Sequence, residues 1–331
     1  MSIELAIDLG THSTLVWQRG RGLVMNEPSV VAVNQRGGKV VAVGNDAIKE
    51  VRQKPIQLAL ERPLRGGTVT DYQLTYDMMS ALYARFGVTR LSRATVIVSI
   101  PSQATDVERS ALRDAATRRG SPTVHFMEEP LAAAIGAKLP VQDPVGSMVV
   151  DIGGGNTEAS VVSMGGLVLT ASDRIGGLDL DEAVQSWLRD HVGIGVGDRT
   201  AEQVKHALGR AWPTGTVGKA RVRGRDLNTG ETAEVVVSSE DMRMALDPGV
   251  TQIVRTVVAA LGDSPPELAQ DIMSQGIVLT GGGAMLTGLD ERITAETQVR
   301  VRQAEDPTRC VIHGMGAALE SGVRWSGIFE E

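Results

Sequence analysis

Two short stretches join an aspartate to glycines directly after an apolar run: Asp8-Leu9-Gly10-Thr11 and Asp151-Ile152-Gly153-Gly154-Gly155. An aspartate at the carboxyl end of a strand can hold Mg²⁺, usually through its waters, while amides freed by glycine cradle phosphate oxygens. Gly10, Gly153, Gly154 and Gly155 permit that approach without a Cβ in the way. Thr11 and Thr14 offer hydroxyl donors beside the first turn. Either turn alone would be read as a tight turn with a capping aspartate; it is the pair that points to a phosphate and metal site. A third turn, Thr280-Gly281-Gly282-Gly283, follows the apolar run Ile277-Val278-Leu279 and again sets glycines at a strand end, where a nucleotide would lie. No GxxxxGK[ST] stretch occurs, which excludes the P-loop route to a nucleotide.

Glu129 stands just before Pro130 at an expected helix start, where the helix dipole favours a carboxylate. Such a group can orient a water for attack on a γ-phosphate, or serve simply as an N-cap. Its neighbour Glu128 is expected to point elsewhere. Glu202 and Lys205 lie three apart on an expected helix, able to touch a ribose or adenine edge or to form an exposed ion pair. The single cysteine, Cys310, reads as a small buried hydrophobe rather than a catalytic thiol, and it cannot form an internal disulfide.

The elements that must position these residues repeat. Residues 3–28 run strand, acidic–glycine turn, strand, Gly20/Gly22 turn, strand; residues 147–174 repeat that grammar with a Gly165-Gly166 turn. This predicts a duplicated α/β unit, each first strand ending in a similar turn. Thr105-Asp106-Val107-Glu108 is a capping box opening a helix to about Arg119, and Pro130 suits the first turn of the helix through Leu131–Gly136. Thr200 with Gln203 predicts a helix start leading to Ala211, and Ser264-Pro265-Pro266-Glu267 another, closed near Gly276. From Val217 to Val237 the pattern alternates as strand, with Arg221, Arg223 and Arg225 on a solvated face. Strands mixed with helices throughout predict an α/β fold.

At 331 residues the chain suits two domains of about 150 residues each. It is 42% hydrophobic and 22% charged, the balance of a soluble globular protein. A net charge of -7 argues against a nucleic-acid partner. No stretch approaches the ~18 apolar residues of a spanning helix. The chain enters an apolar run almost at Met1, so neither a signal peptide nor an N-terminal amphipathic anchor is expected, and the expected location is cytoplasmic.

Longer stretches carry a family resemblance. Asp8-Leu9-Gly10-Thr11, Asn26-Glu27-Pro28-Ser29-Val30-Val31-Ala32-Val33, residues 128–137 (EEPLAAAIGA), residues 146–155 (GSMVVDIGGG), Leu279-Thr280-Gly281-Gly282-Gly283-Ala284 and Glu305-Asp306-Pro307 resemble the bacterial actin family MreB, from residue 3 to about 320. The resemblance implies a duplicated actin-like, ribonuclease H-like α/β fold of two lobes and four subdomains, with ATP and Mg²⁺ in a central cleft. Lobe I would span 1–145, with an insertion at about 30–71 and a returning segment 306–331; lobe II would span 146–305, with an insertion at about 181–249. By the same likeness Asp8 and Asp151 flank the metal, and Gly10, Thr11, His12, Ser13, Gly153, Gly154, Gly155 and Asn156 surround the phosphates. Glu129 and Asn156 attend the hydrolytic water, Glu202 and Lys205 lie on the nucleotide-side helix, and Gly281, Gly282 and Gly283 back the adenosine. An ATPase that polymerises into double filaments under the membrane, guiding wall synthesis and cell shape, is implied with it.

Three departures qualify the likeness. Asn156 stands where the family usually has Thr, so slower hydrolysis is expected. His12-Ser13 replaces the usual Ala-Asn, and His12 reads as a loop residue near the phosphates. The N-terminal amphipathic helix of some relatives is missing, which would leave membrane contact to Phe86, Val88 and Leu91 unless these form an ordinary buried turn. Other classes on the same scaffold are a metabolic kinase, a chaperone ATPase, and a filament or adaptor that binds ATP without turning it over. The kinase lacks a further candidate base and the chaperone lacks length for a peptide-binding domain.

Overall fold

The computed structural model describes residues 3–89, 92–117, 122–213 and 215–321. The chain divides into two compact units: one takes Met1–Val145, Val162–Thr170 and the segment from Thr308, the other Gly146–Val161 and Ala171–Pro307.

The first unit opens with a meander, β1 (Ile3–Leu9), β2 (Ser13–Gln18) and β3 (Gly22–Pro28). A small sheet follows from β4 (Val31–Asn34), β5 (Val40–Val43), helix α1 (Gly44–Gln53) and β6 (Leu58–Glu61), ordered β5-β4-β6 around buried Val30, Ala32 and Ala47. Then come a short ribbon of β7 (Leu64–Arg65) and β8 (Thr68–Val69), α2 (Tyr72–Arg85), β9 (Ala94–Ile100), α3 (Asp106–Thr117), β10 (Thr123–Glu128) and α4 (Glu129–Gly136). The main sheet is ordered β3-β2-β1-β9-β10; β1 runs antiparallel to β2 and parallel to β9, and β9 parallel to β10. Strands covered on both faces read as continuous apolar runs. So Leu5, Ile7, Val96, Val98 and Ile100 share one core with Met79, Tyr83 and Phe126. Val88 is buried in that core and Phe86 packs against it, as in an ordinary buried turn; Leu91 lies outside the described residues.

The second unit repeats the meander in β11 (Ser147–Ile152), β12 (Thr157–Ser163) and β13 (Gly166–Asp173). It continues with α5 (Gly177–Val192), β14 (Ile194–Gly195), α6 (Asp198–Leu208), β15 (Lys219–Asp226), β16 (Thr232–Ser238) and α7 (Ser239–Gly262). Then follow α8 (Pro266–Gln275), β17 (Ile277–Thr280), α9 (Leu289–Thr297) and β18 (Val301–Gln303). The sheet order is β13-β12-β11-β17-β18, with β17 parallel to both β11 and β18. Both main sheets are therefore a three-strand meander, which the repeated turns predict, extended beyond its first strand by two parallel strands, which they do not. The hairpin tip Val162–Thr170 groups with the first unit, because Gly165 and Met164 donate amides to the carbonyls of Val141 and Asp143 at 2.7 and 3.1 Å.

The last helix, α10 (Cys310–Ser321), packs against α4 in the first unit. Cys310 is buried, as expected of a cysteine that acts as a small hydrophobe. Arg221, Arg223 and Arg225 are exposed on β15 as expected. Helix α6 begins and ends earlier than the Thr200–Ala211 expectation. The Gly197 carbonyl already accepts from Thr200 and Ala201, and Gly209 breaks the helix. Among the described residues no helix is long and apolar enough to cross a membrane.

Candidate functional site

In the first unit the parallel pairing of β1 with β9 brings Asp8 beside Ser99, and the chain then turns through Gly10. The Gly10 amide donates to the Ser13 carbonyl at 3.2 Å, and a Cβ on Gly10 would stand 3.0 Å from that oxygen, so a side chain there would crowd the turn. Ser29 fastens the turn from β3's end: its hydroxyl donates to the Gly10 carbonyl at 2.6 Å and shares a 2.8 Å bond with the Thr14 hydroxyl. Thr11 is buried, with its hydroxyl oxygen accepting from the Gly67 amide at 2.8 Å. His12 is exposed and Ser13 half-buried.

Glu129 is brought to the same sheet end by α4. It occupies the first helical position; the capping position falls on Glu128, whose side chain makes no capping bond, so the simple N-cap reading does not hold. Glu129 is 7% exposed, and its Oε1 lies 3.4 Å from the Ser99 hydroxyl oxygen, which is 3.1 Å from Asp8 Oδ1. Glu128 turns the other way, with Arg109 3.9 Å from its carboxylate.

In the second unit β11 ends in Asp151, 7% exposed, in register with Thr280 of β17. The Thr280 hydroxyl donates to Asp151 Oδ1 at 2.8 Å. Burial pushes the Asp151 carboxyl up to about 6, against the downward pull of that hydrogen bond. Beyond it the Gly153 amide donates to the Asn156 carbonyl at 2.9 Å, and the Asn156 side-chain oxygen leans over Gly153. The carbonyls of Gly153 and Gly154 accept from the first amides of α5, Gly177 and Leu178, at 2.9 and 2.8 Å. A Cβ on Gly176 would stand 2.6 Å from the Gly155 nitrogen, so the start of α5 is pressed onto the glycine turn.

The third turn divides by residue. A Cβ on Gly281 would collide with the Ile152 carbonyl and one on Gly283 with the Ile152 side chain, whereas Gly282 faces open space. Gly281 and Gly283 thus serve packing against β11, and Gly282 alone of the three keeps an approachable backbone.

Lys205 does not sit as an exposed partner of Glu202. Its ammonium reaches back from α6 to the Gly177 carbonyl at 2.7 Å and to Asp181 of α5 at 2.8 Å, with side-chain exposures of 11% and 8%. Burial raises the Asp181 carboxyl above its ordinary range, and the Lys205 charge opposes that rise. Lys205 therefore braces the first turn of α5, which in turn grips Gly153 and Gly154. Glu202 is half-buried on the same helix.

Sequence reading missed Ser99, Ser29, Gly176, Asp181 and Thr280. Only Thr280 had a local signal, its place before the triple glycine; the others meet their partners across strands and helices distant in sequence.

Each unit by itself presents donors that suit a magnesium nucleotide: a carboxylate at a strand end with glycine amides or hydroxyls beyond it. The buried Asp151 carboxylate is one whose charge a cation would offset.

The family model described as MreB/Mbl protein matches residues 2–326. The chain is 45% identical over 325 residues to the cell shape-determining protein MreB of Escherichia coli K12, covering 96% of this chain and 94% of that one. It is 37% identical over 319 residues to the cell shape-determining protein Mbl of Bacillus subtilis 168, covering 96% of each. Among solved structures, MreB5 of Spiroplasma citri bound to ADP superposes with a TM-score of 0.89 at 32% identity, covering 96% of each chain. The MamK double helical filament, at 21% identity and a TM-score of 0.81 over 97% of this chain and 99% of that one, shares the fold.

Proposed function

Because the chain belongs to the MreB/Mbl family, we propose that it binds ATP with Mg²⁺ and hydrolyses it to drive assembly and disassembly of a cytoskeletal filament that acts in cell shape. One observation carries this reading: each main sheet delivers an aspartate and then a glycine turn at the carboxyl end of its first strand. Relatives support it, since MreB5 of Spiroplasma citri has been solved with ADP and with AMPPNP.

In this reading Asp8 and Asp151 hold Mg²⁺, whose charge would offset that of the β- and γ-phosphate oxygens. Thr11, His12, Ser13, Gly154 and Gly155 receive the phosphates through backbone amides and hydroxyls, while Gly10 and Gly153, whose amides close their turns onto the Ser13 and Asn156 carbonyls, keep a Cβ out of the way. Glu129, a carboxylate at a helix start, orients the attacking water. Glu202 and Gly282 face the nucleoside, while Lys205, Gly281 and Gly283 hold the supporting backbone. Self-association follows from the family, and the inner face of the membrane and the wall-synthesis machinery are its proposed surroundings in the cytoplasm.

Calorimetry with Mg-ATP, light scattering and phosphate release measured together test it. Uptake of ATP, a scattering rise and phosphate release are expected; folded protein that takes up no nucleotide would end this reading. Asn156 favours a second form of it, a slow or non-hydrolysing filament, because an amide stands where the family usually has a hydroxyl. Asn156→Thr should speed phosphate release about 3-fold or more at unchanged ATP affinity, and no gain would reject the second form.

A further inference from the structure

Ser99 lies on β9, 2% exposed, between two carboxylates from different elements. Its Oγ accepts from the Leu9 amide at 3.1 Å and stands 3.1 Å from Asp8 Oδ1 and 3.4 Å from Glu129 Oε1. A serine hydroxyl has one proton and two lone pairs. The Leu9 amide takes one lone pair and pins the oxygen to the backbone of β1, which leaves a single proton facing two acceptors. We propose that Ser99 is a positioning residue that shares this proton between Asp8 and Glu129 and so fixes the spacing of the two carboxylates. The proton goes to whichever carboxylate is less engaged elsewhere.

The consequence for hydrolysis rests on the proposed function. An Asp8 carboxylate engaged elsewhere leaves the Ser99 proton to Glu129 Oε1, which holds that carboxylate in one orientation. The distances favour this sharing. For a hydroxyl donor both separations, 3.1 Å and 3.4 Å, are long, so neither carboxylate holds the proton tightly and a small rotation of the hydroxyl moves it from one to the other. A side chain needed only to fill the core could not discriminate a hydroxyl from a methyl group.

Ser99→Thr and Ser99→Val test the hydroxyl at nearly constant shape. At saturating Mg-ATP in a single turnover, the Val variant should release phosphate about 10-fold slower than the Thr variant, which would correspond to about 1.4 kcal/mol in the transition state. Calorimetric affinity for Mg-ATP should differ between them by less than about 3-fold. A second measurement needs no nucleotide and no added methyl: a denaturant cycle on the ligand-free protein with Ser99→Ala, Asp8→Asn and both. Coupled sites are non-additive, so the double variant should lose less stability than the two singles together. Equal rates for the Val and Thr variants, or an additive cycle, would overturn the proposal. Wild-type protein that takes up no ATP would instead remove the nucleotide reading and leave the cycle to decide the role of Ser99.

Discussion

Asp151 shows how a side chain proposed to hold a cation can oppose stability in the ligand-free protein. Its carboxyl is raised to about 6 from the ordinary 3.8, so the folded protein holds this proton more tightly than the unfolded chain. The stabilisation is full below about pH 4 and is lost as pH rises through about 6, leaving a cost of about 3 kcal/mol above it. Ligand-free Asp151→Asn should therefore melt several degrees higher than wild type at pH 7.5 and lose that slope between pH 4 and 6, while its affinity for Mg-ATP falls. Equal melting curves across that range would contradict the assigned cause. Lys205 makes the opposite case. Removing one member of a buried pair strands the other, typically at about 3–5 kcal/mol. Lys205→Met should thus cost about that much in denaturant unfolding, and Asp181→Leu added to it should restore a large part. Equal losses in the single and double variants would mean that the pair is not the source. The aspartate and glycine turns were legible because chemistry and backbone demand coincide in adjacent residues. Ser99 and Asp181 were not, since their partners lie 91 and 30 positions from Ser99 in one case, and on another helix in the other.

At the level of elements, α4 and α10 meet with almost no side chain between them. A Cβ on Gly136 would collide with the Cys310 carbonyl, and one on Gly314 with the Ala132 carbonyl. Gly316 in turn lies against the Trp17 ring, where a Cβ would come within 2.6 Å. Helices this close need small residues where they cross, and backbone cannot yield as a flexible side chain can. Gly314→Ala should accordingly cost about 1–3 kcal/mol and lower the melting temperature by several degrees. Because α4 opens at Glu129, the same variant should slow phosphate release more than it weakens ATP binding. A stable variant with unchanged turnover would show that α10 does not set the position of α4. The sequence displayed this arrangement only in part. The duplicated meander could be read from its strand–turn rhythm, and the Thr105/Glu108 capping box is present as expected, with bonds of 2.9 and 3.3 Å. The role of the α10 glycines had no local signal, because the backbone and ring that they meet lie far off in sequence, and the start of α6 carries none either, because Gly197 has no side-chain oxygen to cap it.

For the whole molecule the decisive quantity is charge. Each subunit carries -7, so copies brought together in a filament repel one another unless ions screen them. The screening length falls from about 30 Å at 0.01 M salt to about 8 Å at 0.15 M, which takes it from the scale of a domain to that of a few side chains. Over that range the long-range repulsion between subunits fades, while apolar contacts, which are short-ranged, persist. Assembly with Mg-ATP should therefore strengthen between 0.01 and 0.15 M potassium chloride, seen as a higher light-scattering plateau and a critical concentration lowered about 2-fold or more. Scattering that falls steadily over the same range would mean that contacts between copies are held by opposite charges. The critical concentration in that case should rise further when Arg221, Arg223 and Arg225, exposed along one face of β15, are replaced by Gln. Unchanged assembly of that triple variant would place the attractive charges elsewhere on the surface.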